Sequence, residues 1–292
     1  MDKIYLTPED NLTISFARLR EGTEVVLSPG IYRAKVLITT PGITVTGAGA
    51  GKTKIVWDDY AKKLDGAGRE YNTFRTWSVA VCTDHVTFRD LTVENDALRP
   101  DLKGQEVALS VLGDDFLAEN CVFRSTQDTL FAGPLPPDLI ERYDGFLADI
   151  LRRDGHFRQV YRNCRIEGSV DFIFGCADAL FDRCEIRSVH EERDLGFVAA
   201  PAHTLEQVEG FVFRNCCFTR EEGVSDGSIF LARPWRDYGL SVFENCTYGP
   251  HIRPEGFDKW NDTDRDKTAR FYETPPVSGR VPWVRLPDIP AE

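Results

Sequence analysis

A short pattern that occurs six times constrains the fold of this chain more than any other feature of its 292 residues. Each copy begins with an aromatic or small residue, most often has Asn at its third place, carries Cys or Leu at its fourth, and ends on an apolar or aromatic residue. The copies are Phe88–Val93, Ala118–Phe123, Tyr161–Ile166, Phe181–Ile186, Phe213–Phe218 and Phe243–Tyr248. They lie 20 to 43 residues apart, which is the spacing of solenoid repeats joined by loops of uneven length.

Each copy predicts a short strand, a bend and a second strand. Asn tolerates the left-handed backbone conformation that a tight bend requires. Residues two apart, such as Cys184 and Ile186, face the same side of a strand and are expected to point inward. Short strands repeated in one register predict an all-β chain that coils as a parallel β-helix, in a single domain over residues 1–292. A β-sandwich or a propeller is the alternative, but strands of alternating direction would not keep Asn and Cys in one register.

Three segments outside the repeat complete the predicted architecture. Thr13–Leu19 has helical spacing and is expected to cap the open end of the coil. An insertion over about residues 132–157 has apolar residues three and four apart after a run of prolines, which predicts an amphipathic helix near 138–152. Such a helix either walls one side of a site or only packs on the coil. The polar, Pro-rich tail over about residues 263–292 is expected to lie on the surface of the coil.

Charge and cysteine use narrow the function classes. The net charge of −12 opposes binding to nucleic acid or to an anionic membrane. No apolar run is long enough to span a membrane, and the start lacks the features of a signal peptide, so a cytoplasmic protein is expected if Met1 is the native start. Five of the eight Cys occupy the core position of the repeat, and without metal-ligand spacing they predict small buried side chains. We expect no metal and no other cofactor.

Two aspartates share one place relative to the repeat. Asp128 lies seven residues after Cys121, and Asp171 lies seven residues after Cys164. Neighbouring strands of a parallel β-helix are about 4.8 Å apart, so the two carboxylates are expected to interact. One of them then has a raised pKa and holds a proton beside an ionised partner. Two solvated loop aspartates are the alternative, but the apolar segment Gly168–Gly175 favours a buried carboxylate that needs a cation.

Four segments around these residues carry a family resemblance. They are Gln105–Leu109, Gln127–Phe131, Gly168–Gly175 and Arg233–Trp235. The second and third hold the two aspartates, and Arg233, in another apolar stretch, is the candidate cation. In this order they resemble the signature segments of pectin methylesterases, carbohydrate esterases that demethylate pectin, and four ordered motifs are far more specific than one short pattern. The resemblance implies a right-handed parallel β-helix and hydrolysis of the methyl esters of galacturonate units, with release of methanol.

The resemblance also implies a role for individual residues. Asp171 would be the nucleophile, and Asp128 would protonate the leaving methoxide and then act as the base for water. The amides of Gln105 and Gln127 would stabilise the oxyanion, and Arg233 would orient Asp171 and keep it ionised. The aromatic residues expected to contact sugar rings are Trp235, Phe257 and Trp260. Taken singly, the two Gln residues, Arg233 and Trp235 also fit structural roles.

Departures from the family pattern bear on the substrate. Glu106 stands where the family usually has Ala, and it is expected to add negative charge near the site. Phe257 stands where Trp is usual, which reduces the area for stacking. The insertion, the absence of a signal-peptide pattern and the acidic balance predict that methylated oligogalacturonides are preferred over long pectin. The sequence does not indicate an oligomeric state.

Other functions are possible on the same predicted fold, because a fold does not fix chemistry. Pectate lyases and polygalacturonases are also parallel β-helices. Gly113–Asp115 superficially resembles the acidic pair of an inverting glycosidase, although a polar bend explains it as well. A non-catalytic solenoid that binds carbohydrate would need neither Asp128 nor Asp171. Assays for methanol, new reducing ends or unsaturated products separate these alternatives.

Overall fold

The computed structural model describes residues 2–97 and 104–285. Within them, the backbone winds through three parallel sheets of ten, eight and seven strands. Successive turns of the coil add strands to each sheet in order, and parallel crossover connections are right-handed. The chain is therefore a right-handed parallel β-helix, which confirms the predicted fold class.

Each sheet collects about every third strand of the coil. The first sheet contains β1 (Lys3–Leu6), β2 (Glu24–Leu27), β5 (Thr44–Thr46), β8 (Thr87–Arg89), β11 (Phe116–Glu119), β14 (Arg158–Arg162), β17 (Asp178–Asp182), β20 (Phe211–Arg214), β23 (Leu240–Glu244) and β25 (Arg270–Thr274). The second contains β3 (Gly30–Arg33), β6 (Thr53–Trp57), β9 (Thr92–Asn95), β12 (Val122–Arg124), β15 (Arg165–Gly168), β18 (Glu185–Ser188), β21 (Cys217–Arg220) and β24 (Thr247–Tyr248). The third, here called the cleft sheet, contains β4 (Val36–Ile38), β7 (Val79–Val81), β10 (Leu109–Val111), β13 (Leu130–Ala132), β16 (Val170–Gly175), β19 (Gly196–Pro201) and β22 (Ile229–Ala232).

The sequence repeat forms the corner between the first and second sheets. The third residue of all six copies has a positive φ, between 51° and 55°. Asp90 and Arg183 adopt this conformation where the pattern lacks Asn. The residue that follows points inward, and Cys121, Cys164 and Cys184 are buried free thiols. These cysteines are core side chains, as their register predicts.

The core of the coil is a stack of aromatic rings from the first place of the repeat. Ring centroids are 4.9 Å apart between Tyr161 and Phe181, 4.7 Å between Phe181 and Phe213, and 4.8 Å between Phe213 and Phe243. These separations match the distance between neighbouring strands. Each of these coils therefore adds one fully buried ring, and burial of a ring stabilises the fold by about 1.5–3 kcal/mol.

A short helix, α1 (Leu12–Phe16), covers the N-terminal end of the coil. Its N-cap is Asn11, whose Oδ1 accepts a hydrogen bond from the backbone N–H of Ile14 at 3.1 Å. Leu12 and Phe16 are buried, and the helix packs beside β4. The helix therefore shields apolar residues at the first turns of the coil from water.

The C-terminal segment is more integral to the coil than the sequence suggested. The prediction of a surface tail over about 263–292 is wrong for residues 270–274, which form β25 and pair with β23. Phe271 and Glu273 alternate inward and are buried, and Arg280 donates to both carboxylate oxygens of Glu273 at 2.8 and 3.0 Å. The prediction failed because β25 is only five residues long, and an alternation of inward and outward side chains is hard to recognise in so short a segment. Residues 286–292 lie outside the described residues.

The insertion leaves the coil after β13 and is only partly helical. It contains α2 (Pro137–Arg142) and a single 3-10 turn at Asp149–Arg152, so the helix predicted near 138–152 is shorter than expected. Gly145 between them has a φ of 69°, a left-handed conformation that interrupts a helix. Leu139 and Leu147 are buried against the coil. Among residues 2–97 and 104–285, no helix is long and apolar enough to cross a membrane.

Candidate active site

A cavity of about 430 Å³ lies beside the cleft sheet. The residues predicted from the sequence that line it are Gln105, Gln127, Asp128, Asp171, Arg233, Trp235 and Trp260. The fold thus brings together seven of the eight predicted site residues, which come from five separate segments of the sequence. The cavity has the volume of a small-ligand site.

The backbone places the two aspartates side by side. Gln127 and Val170 form a parallel bridge, so Asp128 and Asp171, which follow them, occupy neighbouring strand positions. Both have a positive φ, 64° at Asp128 and 49° at Asp171. The register between β16 and β19 also shifts between Val170 and Ile173. A left-handed conformation at a residue other than Gly costs about 1 kcal/mol or more, and such outliers cluster at functional sites.

Arg233 holds Asp171 in a two-pronged ion pair. The guanidinium donates from Nε to Oδ1 of Asp171 at 2.8 Å and from Nη2 to Oδ2 at 2.6 Å. The same guanidinium lies 3.7 Å from the ring centroid of Phe197 and 4.1 Å from that of Trp260. Paired hydrogen bonds and flanking rings fix both the position and the orientation of the Asp171 carboxylate.

Burial and neighbouring charges give the carboxyl groups of Asp128 and Asp171 different pKa values. Burial, and then the negative charge of Asp171, raise the pKa of Asp128 well above its ordinary value, against the opposing effects of Gln127 and Arg233. Burial also raises the pKa of Asp171, but the hydrogen bonds and positive charge of Arg233 oppose that rise. Asp128 therefore retains its proton at pH values at which Asp171 is ionised.

Arg193 is a residue of the site that the sequence did not reveal. Its Nη2 donates to Oε1 of Gln127 at 2.9 Å, which leaves the amide nitrogen of Gln127 as the donor available to the cleft. Its positive charge also opposes the rise in the pKa of Asp128 and of Asp171. Arg193 lies in the loop between β18 and β19 and belongs to no motif, so only the geometry of the coil identifies it.

Two tryptophans present aromatic surface to the cavity. Trp235 stacks on Phe74 with ring centroids 6.4 Å apart and meets the edge of Phe174 at 5.8 Å. It stays partly exposed, as does Trp260, which covers the guanidinium of Arg233. Both rings are held by neighbours while one side of each borders the cavity.

The expectation that Phe257 contacts a sugar ring is wrong. Phe257 is 1% exposed and packs inside the coil against Phe243 and Phe271. Its backbone bridges to Ala232 and so extends the cleft sheet, with the side chain on the inner face. A ring in this position fills the core and offers no face to a ligand.

Glu106 adds less negative charge than the sequence suggested. The residue is 5% exposed, and its Oε2 accepts a hydrogen bond from the hydroxyl of Thr126 at 2.6 Å. Burial, together with the charge of Glu191, raises the pKa of Glu106 to about 7. Near neutral pH, about half of the molecules therefore carry a proton on Glu106.

The insertion forms a wall of the cavity. Of the two roles that the sequence left open, walling a site or only packing on the coil, the structure shows the first. Leu139, Arg142 and Tyr143 line the cavity from α2 and the residue that follows it. The hydroxyl of Tyr143 donates to Oδ1 of Asn72 at 3.2 Å, and its ring centroid lies 5.6 Å from that of Phe74. The insertion is therefore attached to a neighbouring loop across the cavity.

The acidic pair at Asp114 and Asp115 lies outside the cavity. Arg158 donates to both oxygens of Asp114 at 3.0 and 2.7 Å, and His85 lies 2.8 Å from Asp115. These are surface ion pairs at a bend of the coil, so they do not form a glycosidase site. In the part of the chain that the structure describes, no three His, Cys, Asp or Glu residues are placed to hold a metal ion.

The fold and the site together define a class of protein, a parallel β-helix with an ion-paired aspartate beside a protonated one in a cleft. The chain belongs to the pectinesterase family, whose sequence model matches residues 11–134 and 148–283. The helix α2 falls between the two matched segments.

Individual relatives agree with this assignment. The chain is 31% identical to Pectinesterase QRT1 of Arabidopsis thaliana over 273 residues, which cover 89% of this chain and 64% of the relative. It is 33% identical to Probable pectinesterase/pectinesterase inhibitor 64 of the same plant over 300 residues, which cover 94% of this chain and 44% of the relative. The chain thus spans less than two thirds of the length of these two relatives. The solved structure of pectin methylesterase from carrot shares the fold, with a TM-score of 0.81 at 23% identity over 99% of this chain and 88% of that one.

Proposed function

We propose that this chain is a pectinesterase that hydrolyses the methyl esters of galacturonate units, in pectin or oligogalacturonides, to free carboxylates and methanol. One observation carries the proposal. A single cleft holds Asp171, fixed by the guanidinium of Arg233, beside Asp128, whose pKa burial and the charge of Asp171 raise well above its ordinary value. Such a pair supplies a nucleophile and a proton donor on the same face of a bound ester.

In the first half of the reaction, a carboxylate oxygen of Asp171 bonds to the ester carbonyl carbon, and an electron pair moves onto the carbonyl oxygen. The amide groups of Gln105 and Gln127 donate hydrogen bonds to this oxyanion. When the intermediate collapses, the bond to the methoxy oxygen breaks and Asp128 gives that oxygen its proton. Methanol leaves, and an anhydride joins Asp171 to the galacturonyl group.

In the second half, Asp128 is ionised and takes a proton from water, whose oxygen attacks the galacturonyl carbon. Collapse of this second intermediate breaks the bond to Asp171 and returns its carboxylate to Arg233. The galacturonic acid product loses its proton to solvent, and Asp128 keeps the proton that it took. The enzyme thus regains its starting protonation without a cofactor in any step.

The walls of the cleft support a preference for short methylated oligogalacturonides over long pectin. Trp235 and Trp260 supply aromatic faces for sugar rings. Leu139 and Arg142 of α2, with Tyr143 after it, line the cavity and take up room that a long chain would need. Methanol release per ester bond, measured on long pectin and on hexamers of equal methylation, tests this preference. Faster release from long pectin would contradict it.

The activity itself is tested with purified protein and methyl-esterified hexagalacturonate. Methanol and acid are expected in equal amounts, with no new reducing ends and no unsaturated uronide. New reducing ends would indicate a glycosidase, and unsaturated uronide would indicate a lyase. Binding without any product would indicate a carbohydrate-binding protein and would contradict the proposal.

A further inference from the structure

Glu191, in the loop between β18 and β19, borders a second cavity of about 330 Å³. Its carboxylate is connected to Gln127 through Arg193. We propose that Glu191 is a positioning residue, which fixes Arg193 so that the amide of Gln127 keeps its N–H groups directed at the oxyanion. The proposal rests on the pectinesterase activity proposed above and adds a residue to its machinery.

The amide of Gln127 can act as an oxyanion donor in only one of its two orientations, because its nitrogen donates hydrogen bonds and its oxygen only accepts them. Nη2 of Arg193 donates to Oε1 of Gln127 at 2.9 Å. A guanidinium has no acceptor, so a rotated amide would place two donors against each other. The nitrogen end faces Asp128, since a hydrogen bond from Gln127 opposes the rise in the pKa of that carboxyl group. Arg193 therefore selects the orientation that the reaction requires.

Arg193 needs a fixed partner of its own, because its side chain is long and borders open space. The side chain is 30% exposed and lines the second cavity, into which it could turn. Oε1 of Glu191 lies 3.4 Å from Nε of Arg193. One donor of the guanidinium is thus engaged by Glu191 and another by Gln127, and two contacts restrict the rotation of its plane.

Glu191 is anchored in turn to the strand that precedes its own coil. Its Oε2 accepts a hydrogen bond from the hydroxyl of Ser169 at 2.5 Å. Ser169 is 4% exposed, and its backbone N–H donates to the carbonyl of Thr126 at 2.6 Å. Thr126 directly precedes Gln127, so the series of contacts begins and ends on the same strand. The position of Glu191 relative to Gln127 is therefore set by the backbone of the coil as well as by its own loop.

Glu106 is a second carboxyl group that interacts with Arg193. Burial and the negative charge of Glu191 raise the pKa of Glu106 to about 7, and the positive charge of Arg193 opposes this rise. At about pH 6 most molecules carry a proton on Glu106, which then competes little with Glu191 for the guanidinium. Assays at this pH therefore isolate the contribution of Glu191.

A double-mutant cycle tests the proposal, with methanol release from methyl-esterified hexagalacturonate as the readout. Glu191→Gln is expected to lower kcat about fivefold and to leave KM unchanged, because the oxyanion forms only in the transition state. Gln127→Ala alone is expected to lower kcat about a hundredfold. Glu191→Gln added to Gln127→Ala is expected to cause no further loss, since the amide that Glu191 orients is gone. A carboxylate that only stabilised its loop would lower kcat by the same factor in both backgrounds.

Two further variants complete the design. Asp194→Asn removes an exposed carboxylate from the same loop and is expected to leave kcat unchanged in both backgrounds. Ser169→Ala removes the anchor of Glu191 and is expected to lower kcat about twofold, but only where Gln127 is present. It provides the same test if Glu191→Gln does not fold.

The outcomes separate this inference from the proposed function. A fivefold loss from Glu191→Gln in both backgrounds, or no loss in either, would overturn the role of Glu191 and leave the proposed function intact. If the unchanged protein released no methanol, the proposed function would fail, and this inference with it.

Discussion

Two regions of the coil hold residues in a left-handed conformation but have opposite surroundings. At the corner between the first and second sheets, one residue of each repeat has a φ between 51° and 55°, and its side chain is exposed or half-buried. At the cleft sheet, Asp128 and Asp171 adopt the same kind of conformation, and each is 8% exposed. At the corner the side chain is in contact with solvent, so Asn, Asp and Arg can each occupy the position in different repeats. Burial in the cleft instead requires a proton at one aspartate and an ion pair at the other.

One substitution in each region tests this comparison most severely. Asp171→Asn keeps a residue that tolerates a positive φ but removes the proposed nucleophile. The kcat for methanol release is expected to fall on the order of ten-thousandfold. Asn163→Ala at the corner is expected to lower the free energy of unfolding by about 1 kcal/mol and to leave kcat unchanged. Methanol assays and denaturant titration measure both effects, and normal activity in Asp171→Asn would rule out its role as nucleophile.

Removal of an arginine in each region gives the next largest difference. Arg233→Gln leaves the buried carboxylate of Asp171 without its partner, so we expect a loss of about 3 kcal/mol in the free energy of unfolding. The same change is expected to lower kcat about a hundredfold. Arg214→Gln breaks an exposed pair with Glu244 and is expected to cost less than about 1 kcal/mol. Equal losses of stability in the two variants would show that burial does not distinguish the regions.

A pH-dependent change at Glu106 sharpens the comparison further. Burial raises the pKa of Glu106 to about 7, so the folded protein keeps a proton that the unfolded chain releases above its ordinary value of 4.5. The resulting loss of stability is absent below that value, grows as the pH rises, and is complete above about pH 7. Glu106→Gln is therefore expected to raise the free energy of unfolding by about 3 kcal/mol at pH 8 and by little at pH 4. Denaturant titrations at the two pH values measure the difference, and an equal effect at both would contradict the raised pKa.

The repeat explains why so much of the fold was predictable. Its register depends on short-range features, the inward Cys, the bend residue and the stacked aromatic ring, and the structure keeps all of them. The same register placed Asp128 and Asp171 on neighbouring strands. A periodic pattern therefore carries long-range information, because each copy fixes the position of the next.

Features outside the repeat were less predictable, because they depend on contacts between residues far apart in the sequence that follow no periodic pattern. The hydrogen bond from Arg193 to Gln127 joins residues 66 positions apart. The side chain of Phe257 points into the coil because its backbone pairs with Ala232 and extends the cleft sheet. The local sequence does not indicate this pairing. The insertion kept its apolar spacing but lost helical continuity at Gly145. Its position over the cavity followed from the three-dimensional path of the chain.

The division of roles between Asp128 and Asp171 is tested most directly by carbon-13 NMR titration of the aspartate carboxyl groups. The Asp128→Asn and Asp171→Asn variants assign the two signals. We expect Asp128 to titrate at a higher pH than Asp171. We also expect the pKa of Asp128 to fall in Asp171→Asn, because the charge of Asp171 contributes to its rise. If Asp171 instead held its proton to the higher pH, it could not be the ionised nucleophile, and the proposed mechanism would be contradicted.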